Sequence, residues 1–582
     1  MKELIYMWIE SVSNRANIYK QGIQFSNNYI VELRKNEYYE IESVDIYKND
    51  NIYRNLYGES IINISAIVGI NGVGKTTIMD ILGSPRDTKK RYLLEWRYFL
   101  IYRCDEKYVI EGNGLDIVED FILNIPEYSS DEFSFICKYD EKTKKFICIN
   151  FCNESGEIEK SIKYFYFQDK PADKQGYLKS EHEYDTDYNV CFERVDMKPN
   201  AANVYKTCFF IRDNLEFNSH INMQRLTFEI DAKTDIRIKA ATNLDKEAIR
   251  EVFIIKILLA IIYRMDTGKT AVERLPIDTK NNIFSYNSND YKQYMRILEE
   301  CIDDYNGWGW NKEKIVTSSL VDLLERIPIN FFDKKDRQIL ITSSMIFTIR
   351  DDYSKDIYNL LLSYSDYISF SYCGISAGEK KILDVFSGVF SHVNIFDRNN
   401  RNDEKTNIIL LDEPDKGLHP EMSRRFISWL VKVFNNEKGI GCKYQFIIST
   451  HSPFMISDIP SPYVHCLKHE MKGKIWISQI SDSPFGLLNS IPDLMKDTFF
   501  MDSPFGEFAN LYFGKLVNEI TEINTVSDSE IMEKIKQKIR VVNDPVLNKY
   551  LNKFLEKKVK ELGNVEEQIV YYEDRIKELR GQ

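Results

Sequence analysis

Apolar residues along this chain fall into rhythms that change in a definite order. Near the start, short apolar runs alternate with turns and lead to "INISAIVGINGVGKTTIMDILG", which predicts a buried strand, a glycine-rich turn and a helix. From Leu93 to Phe167 the period is two and aromatic residues fill the apolar positions. "EWRYFLIYRCDEKYVIEG", "EFSFICKYDEKTKKFICINF" and "IKYFYFQ" predict β-hairpins joined by charged turns. From about Asn243 a helical period takes over in "NLDKEAIREVFIIKILLAIIYRM" and continues with breaks to about Ser365. Next, "SYCGISAGEKKILDV" opens an amphipathic helix, followed by an apolar strand at "NIILLDEP", a helix from Pro420 to about Asn435 and a strand at "YQFIIST". The tail from about Glu507 reads as helical and ends in mixed charge. No sustained heptad array joins the halves, which excludes a rod-like coiled-coil arm. "DSPFG" occurs at Asp482–Gly486 and again at Asp502–Gly506, and reads as a pair of matching turns.

Composition narrows the class. A chain of 582 residues with 43% hydrophobic side chains is long enough for two or three units with substantial cores. A net charge of −12 argues against wholesale coating of nucleic acid, yet leaves room for a local basic groove. The start lacks a basic n-region and a long apolar h-region, and the apolar run Val252–Tyr263 is broken by Lys256. No membrane span and a cytoplasmic location are therefore expected. Ten cysteines without a C-x-x-C pair fit reduced, buried thiols. Cys148 and Cys152 share one face of a strand-like stretch, where core packing outweighs metal binding; His465, Cys466 and His469 lack the second ligand pair of a zinc site.

The chemistry concentrates in a few motifs. "GINGVGKT", Gly69 to Thr76, fills the G-x-x-x-x-G-K-[ST] pattern between an apolar strand and a helix. Glycines let the backbone wrap phosphates, so that successive N–H groups and the helix N-terminus face the anion. Gly69, Asn71, Gly72, Gly74, Lys75, Thr76 and Thr77 are the candidate nucleotide-binding residues; Lys75 reaches the β- and γ-phosphates and Thr76 ligates Mg²⁺. "NIILLDEP" delivers two acids to the C-terminal end of a buried strand, where α/β sheets bind ligands. Asp412 is the candidate for the Mg²⁺ shell and Glu413 for the base that deprotonates the attacking water. His451, after "FIIST", is placed to contact the γ-phosphate or that water.

The helix start at Ser376, Ala377 and Gly378 is an anion site with small side chains. ATP already has a phosphate loop in this chain, so the economical partner for Ser376 and Gly378 is the ATP of a second copy, two subunits closing on two nucleotides. Phosphate loop, "ISAGE", "LLDEP" and "STHSP", in that order, resemble the head of ABC-type ATPases. "EPDKGLHPE" and "STHSPF" are similar to its non-transporter branch of RecF-like, structural-maintenance and lysogenization-defect ATPases. The resemblance implies that the signature acts in trans, that Glu413 is the base and that His451 is the switch. It also implies that Asp415–His419 forms the loop crossing the dimer seam, with His419 where transporters usually have Asp, that Arg15 lies near the nucleotide, and that Gln168 is a candidate metal-contacting glutamine. The segment after His451 and the tail "IRVVNDPVLNKYLNKFLEK" are similar to Septu-type anti-phage ATPases and retron-associated relatives, which work beside a separate HNH nuclease.

The fold so implied is α/β: an ABC-type P-loop ATPase head assembled from N- and C-terminal parts, with a β-hairpin-rich and helical insertion and a helical C-terminal tail. The expected divisions are 1–100 and 366–500 for the head, 101–365 for the insertion and 501–582 for a partner-binding tail. No acidic nuclease pattern follows His451, and Asp185–Asp187 reads as a solvated turn, so any nuclease is a separate chain. The expected function is an ATP- and Mg²⁺-dependent ATPase of an anti-phage defence system that works as a homodimer or higher homo-oligomer and controls a separate HNH-type nuclease, with direct DNA binding left open. Two other readings stand beside it: a DNA-repair ATPase that clamps DNA as an ATP-driven dimer, and a nucleotide-stabilised scaffold with little turnover.

Overall fold

The computed structural model describes residues 2–12, 17–26, 28–37, 40–49, 55–84, 96–113, 117–125, 134–151, 162–168, 190–196, 227–239, 244–264, 273–307, 317–334, 340–341, 343–348, 364, 367–398, 406–436, 443–473, 475–501, 503, 505–524 and 529–580. It forms two compact units, residues 1–494 and 495–582. In the first, the elements that build the site are β1 (Lys2–Val12), β2 (Ile18–Gln24), β3 (Ile61–Gly69), α1 (Lys75–Gly83), β4 (Ile162–Gln168), α2 (Ala377–Arg398), β5 (Thr406–Asp412), α3 (Pro420–Asn436), β6 (Lys443–Thr450), β7 (Val464–Lys472) and β8 (Ile475–Asp482).

One sheet of fourteen described strands organises this unit. Its order is Val190–Asp196, β4, β5, β6, β3, β7, β8, β2 and β1, then Arg97–Cys104, Lys107–Asn113, Ser134–Asp140, Lys145–Phe151 and Ile122–Leu123. The strands from Val190–Asp196 through β7 pair in parallel. Central parallel strands are covered on both faces, which is why they read as continuous apolar runs. In β5 every residue before Asp412 is buried, and in β6 every residue after Lys443 is. Beyond β7 the pairing turns mainly antiparallel, and the aromatic hairpins Arg97–Asn113 and Ser134–Phe151 extend the sheet. Cys137 and Cys148 are buried there in an apolar cluster with Phe121 and Phe146, as expected for core thiols.

Two expectations are corrected. Ile162–Gln168 is not a hairpin strand: it lies parallel to β5, with Tyr166 opposite Leu410 and Phe167 opposite Leu411. Alternation reveals a strand and its faces, but carries nothing about which strand lies alongside. The stretch expected to stay helical to about Ser365 contains helices Lys246–Arg264, Tyr291–Gly307 and Thr317–Glu325, but also strand Ser343–Thr348. That strand and Ile368–Cys373 flank Thr227–Ala232 in a separate four-stranded antiparallel sheet. Lys256 interrupts its apolar helix because its buried ammonium meets Asp231 of this sheet at 2.5 Å.

Among the ties between the N-terminal strands and the C-terminal half, one side chain makes three hydrogen bonds. The buried Gln445 amide accepts from Leu4 N (3.0 Å) and donates to Leu4 O (2.9 Å) and Phe25 O (3.1 Å). Beside it, Glu3 is fully buried and accepts from Ser26 Oγ at 2.8 Å. Burial pushes its carboxyl up to about 7, against the opposing hydrogen bonds of Ser26 and Asn28.

The second unit is helical, as the tail's rhythm predicts: α4 (Glu507–Thr521), α5 (Ser529–Arg540), α6 (Pro545–Leu562) and α7 (Val565–Arg580). Leu516, Ile520, Ile535, Ile539, Leu551, Leu555 and Val559 form its core. Asp544 caps α6 by accepting from Val546 N and Leu547 N, with Pro545 in the first helical position. Asn564 and Glu567 form a reciprocal capping box at the start of α7.

Candidate functional site

β3 delivers Gly69 with φ 152°, and Gly72 and Gly74 follow in the left-handed region at 82° and 104°. A β-carbon on Gly69 would lie 2.3 Å from the Leu467 carbonyl oxygen, so this turn admits no side chain. Gly74 precedes α1 without a side-chain cap, which leaves the first-turn N–H groups open to an anion. Lys75 is 5% exposed, and its ammonium donates to Gly69 O (3.0 Å) and Ile70 O (3.1 Å), curling back over the loop. Burial lowers its pKa, opposed by Glu413, Asp412 and Asp415. Asn71 and Thr76 are exposed, and Thr77 is buried under them.

The acids arrive from the strand two places away. Asp412 accepts from Ser449 Oγ at 2.5 Å, and the Thr76 hydroxyl lies near enough to favour its charged form. Burial nevertheless raises its pKa. Thr76 and Asp412 thus offer a hydroxyl and a carboxylate side by side, hard oxygen donors of the kind Mg²⁺ takes together with phosphates and water. Among the described residues no group of three His, Cys, Asp or Glu could hold a metal alone, so a Mg²⁺ here would rely on the nucleotide for its remaining ligands.

Glu413 adopts φ 48°, a strained conformation for a non-glycine residue. Its N–H is fixed by Ser449 O (3.1 Å) and Ser449 Oγ (3.0 Å). The kink ends β5 and presents the carboxylate to His451, whose Nε2 lies 3.4 Å from Oε1; Lys416 Nζ lies 3.7 Å from Oε2. Burial and then Lys75 push the His451 imidazole below its ordinary value, and Glu413 pulls it back. The ring is therefore held neutral at neutral pH. Ser449, which opens the "STHSP" motif but is given no role by it, anchors both acids at once. Its signals in the sequence are that motif and its place at the end of an apolar strand, and the register of β6 on β5, Asp412 opposite Ser449, gives it a role.

Ser376 caps α2 in a reciprocal box: its N–H donates to Glu379 Oε2 (2.7 Å) and its Oγ accepts from Glu379 N (3.3 Å). Both Ser376 and Ala377 are exposed, and Ser376 makes no hydrogen bond to the phosphate loop of its own chain. A β-carbon on Gly378 would lie 3.2 Å from Met422 Sδ, so glycine lets the helix start lie close against α3. His419 caps α3, its Nδ1 accepting from Glu421 N at 3.2 Å. Gln168 ends β4 one residue beyond the Phe167–Leu411 pair, at the same sheet edge as Asp412. Arg15 and Asp185–Asp187 lie outside the described residues.

The AAA ATPase domain family matches residues 38–456. The Retron Vc95 probable ATPase of Vibrio cholerae serotype O1 biovar El Tor is 26% identical over 210 residues, 34% of this chain and 39% of the relative. The Retron Ec83 probable ATPase of Escherichia coli is 34% identical over 108 residues, 18% of this chain and 19% of the relative. The chain therefore spans less than half the length of the curated relatives it matches. A crystal structure of the SmcHead bound to the C-winged helix domain of ScpA aligns with 82% of this chain and 97% of that one at 10% identity and a TM-score of 0.23, a likeness that carries no argument. Among the described residues no helix is long and apolar enough to cross a membrane.

Proposed function

From the premise that the chain belongs to the AAA ATPase domain family, we propose that it hydrolyses Mg²⁺-ATP in a pocket shared by two copies, and that this cycle controls a separate nuclease in antiviral defence. The observation that carries the proposal is the meeting of Lys75, Thr76, Asp412, Glu413 and His451 at the ends of adjacent parallel strands. The loop N–H groups and Lys75 bind the β- and γ-phosphates. Thr76 and Asp412 would hold Mg²⁺, which supplies charge neutralisation of the phosphates. Glu413 takes the proton of the attacking water, and neutral His451 orients that water against the Glu413 carboxylate. Gln168 stands at the metal edge of the pocket, and Arg15 contacts the nucleotide. Ser376, exposed at the start of α2, and Gly378 close the pocket of the second copy, and hydrolysis loosens the pair.

A defence role is supported by the Septu-like tail motifs and by the retron ATPases among the relatives. The nuclease is a separate chain of HNH type, carried by the helical tail at 501–582 and restrained while nucleotide is bound. The test of the shared pocket mixes a Lys75→Ala chain with a Ser376→Arg chain. Each alone is inactive; a mixed pair holds one intact pocket, so random mixing restores roughly a quarter of the wild-type rate. A mixture that co-assembles and stays inactive overturns the proposal.

A further inference from the structure

The helical unit contains a cavity that the ATPase reading does not use. It is an open-sided groove of about 600 Å³ between α5, α6 and α7, lined among others by Arg540, Lys549, Lys553 and Arg575. Four cations face one acid in the lining, Glu556, and Arg540 Nη1 also lies 3.6 Å from Glu533 on α5. The neighbouring Asp544 carboxylate is engaged by the first N–H groups of α6. The carbonyls at the end of α5, which would repel an anion, are also covered. The Asn548 amide donates to Ile539 O (3.0 Å) and Val542 O (2.9 Å), and Asn552 donates to Asn548 Oδ1 (2.7 Å). The floor is thus a fixed amide ladder and the rim is cationic.

We propose that this groove binds a single-stranded nucleic acid through its phosphates. Lys549 and Lys553 are one turn apart on α6, about 6 Å along the helix axis, and Arg540 and Arg575 bring further charge from the adjoining helices. Charge distributed in this way matches a chain of phosphates better than one compact anion. No aromatic side chain lines the groove, so bases are not stacked there and contact is independent of sequence. A space of this size encloses a short run of one strand and is too small for a duplex. An acidic peptide is the less favoured occupant, because Val542 and Pro545 supply the whole apolar share of the lining. The proposal is independent of the nucleotide pocket.

The test is fluorescence anisotropy of a labelled thymidine oligonucleotide with the full-length chain, titrated across salt. Lys549→Gln with Lys553→Gln should weaken binding roughly tenfold at low salt and flatten the log–log salt slope by about 1.4, the change expected when two phosphates of a single strand are no longer neutralised. Arg540→Gln with Arg575→Gln should do the same, and covers the case in which the first pair fails to fold. Lys534→Gln, exposed on α5 outside the groove, should change nothing. RNA of the same length should compete, and its duplex and poly-glutamate should compete poorly. The proposal is overturned if the wild type binds no strand, if the folded double variants keep the wild-type slope, or if poly-glutamate displaces the strand at equal charge.

Discussion

Replacing Ser449 by alanine removes one oxygen atom and should disturb both acids of the pocket. Its hydroxyl donates to Asp412 at 2.5 Å and accepts from Glu413 N at 3.0 Å, and the residue is fully buried. A hydrogen bond to an ionised group contributes about 1.5–3 kcal/mol, whereas the Glu413 amide keeps its second acceptor, Ser449 O, and loses little. A loss of about 2 kcal/mol in holding Asp412 as a carboxylate corresponds to roughly thirtyfold. We expect ATP turnover to fall by about that factor at fixed Mg²⁺, and more Mg²⁺ to be needed for half-maximal rate. Burial already raises the Asp412 pKa and the Ser449 bond opposes it, so the variant's acid limb should move to higher pH. Mg²⁺-titrated phosphate release at several pH values reads all three effects, with circular dichroism confirming the fold. A folded Ser449→Ala chain with wild-type rate, Mg²⁺ dependence and acid limb would refute the reasoning.

Glu413→Gln keeps the backbone anchors to Ser449 and removes the proton acceptor. Hydrolysis should drop by about 10²–10⁴ while nucleotide binding persists, and a rate within tenfold of wild type would exclude Glu413 as the base. Glu3 ionises near 4.5 when unfolded and near 7 when folded, so its contribution to stability is full below 4.5 and falls by roughly 3 kcal/mol as pH rises through 7. In denaturant melts Glu3→Gln should therefore gain on the wild type from pH 5 to pH 8; parallel pH dependence would contradict the burial argument. His451 should titrate below its ordinary 6.5, and lower still in Glu413→Gln, because the carboxylate is what pulls it up. Selective histidine labelling and nuclear magnetic resonance can follow this among seven histidines, and an unshifted midpoint would count against a neutral ring.

What the sequence makes legible is whatever a single strand and its turn can encode. The β3 turn carries its glycines, and β5 carries an apolar run ending in two acids, so the P-loop fold and its strand ends are readable. Pairing is not. Ile162–Gln168 looks like its aromatic hairpin neighbours because period two reports faces only, and its place beside β5 depends on residues far along the chain. The role of Ser449 is hidden for the same reason: the residue stands in "STHSP", but its function arises from lying opposite Asp412. Ser343–Thr348 is hard to see because a strand of six residues has too few positions to set a rhythm.

The Gln445 clamp also has a bearing on how the molecule is made. β3, which carries the phosphate loop, lies between β6 and β7, and Gln445 holds Leu4 and Phe25 in place. A ribosome therefore releases the opening strands long before their neighbours exist. At ordinary elongation rates the interval is on the order of a minute or less, during which the apolar Ile61–Gly69 run has no partner on either side. A chain cut short before Lys443 cannot shape a place for ATP, so possession of a working nucleotide pocket certifies that translation reached the far strands.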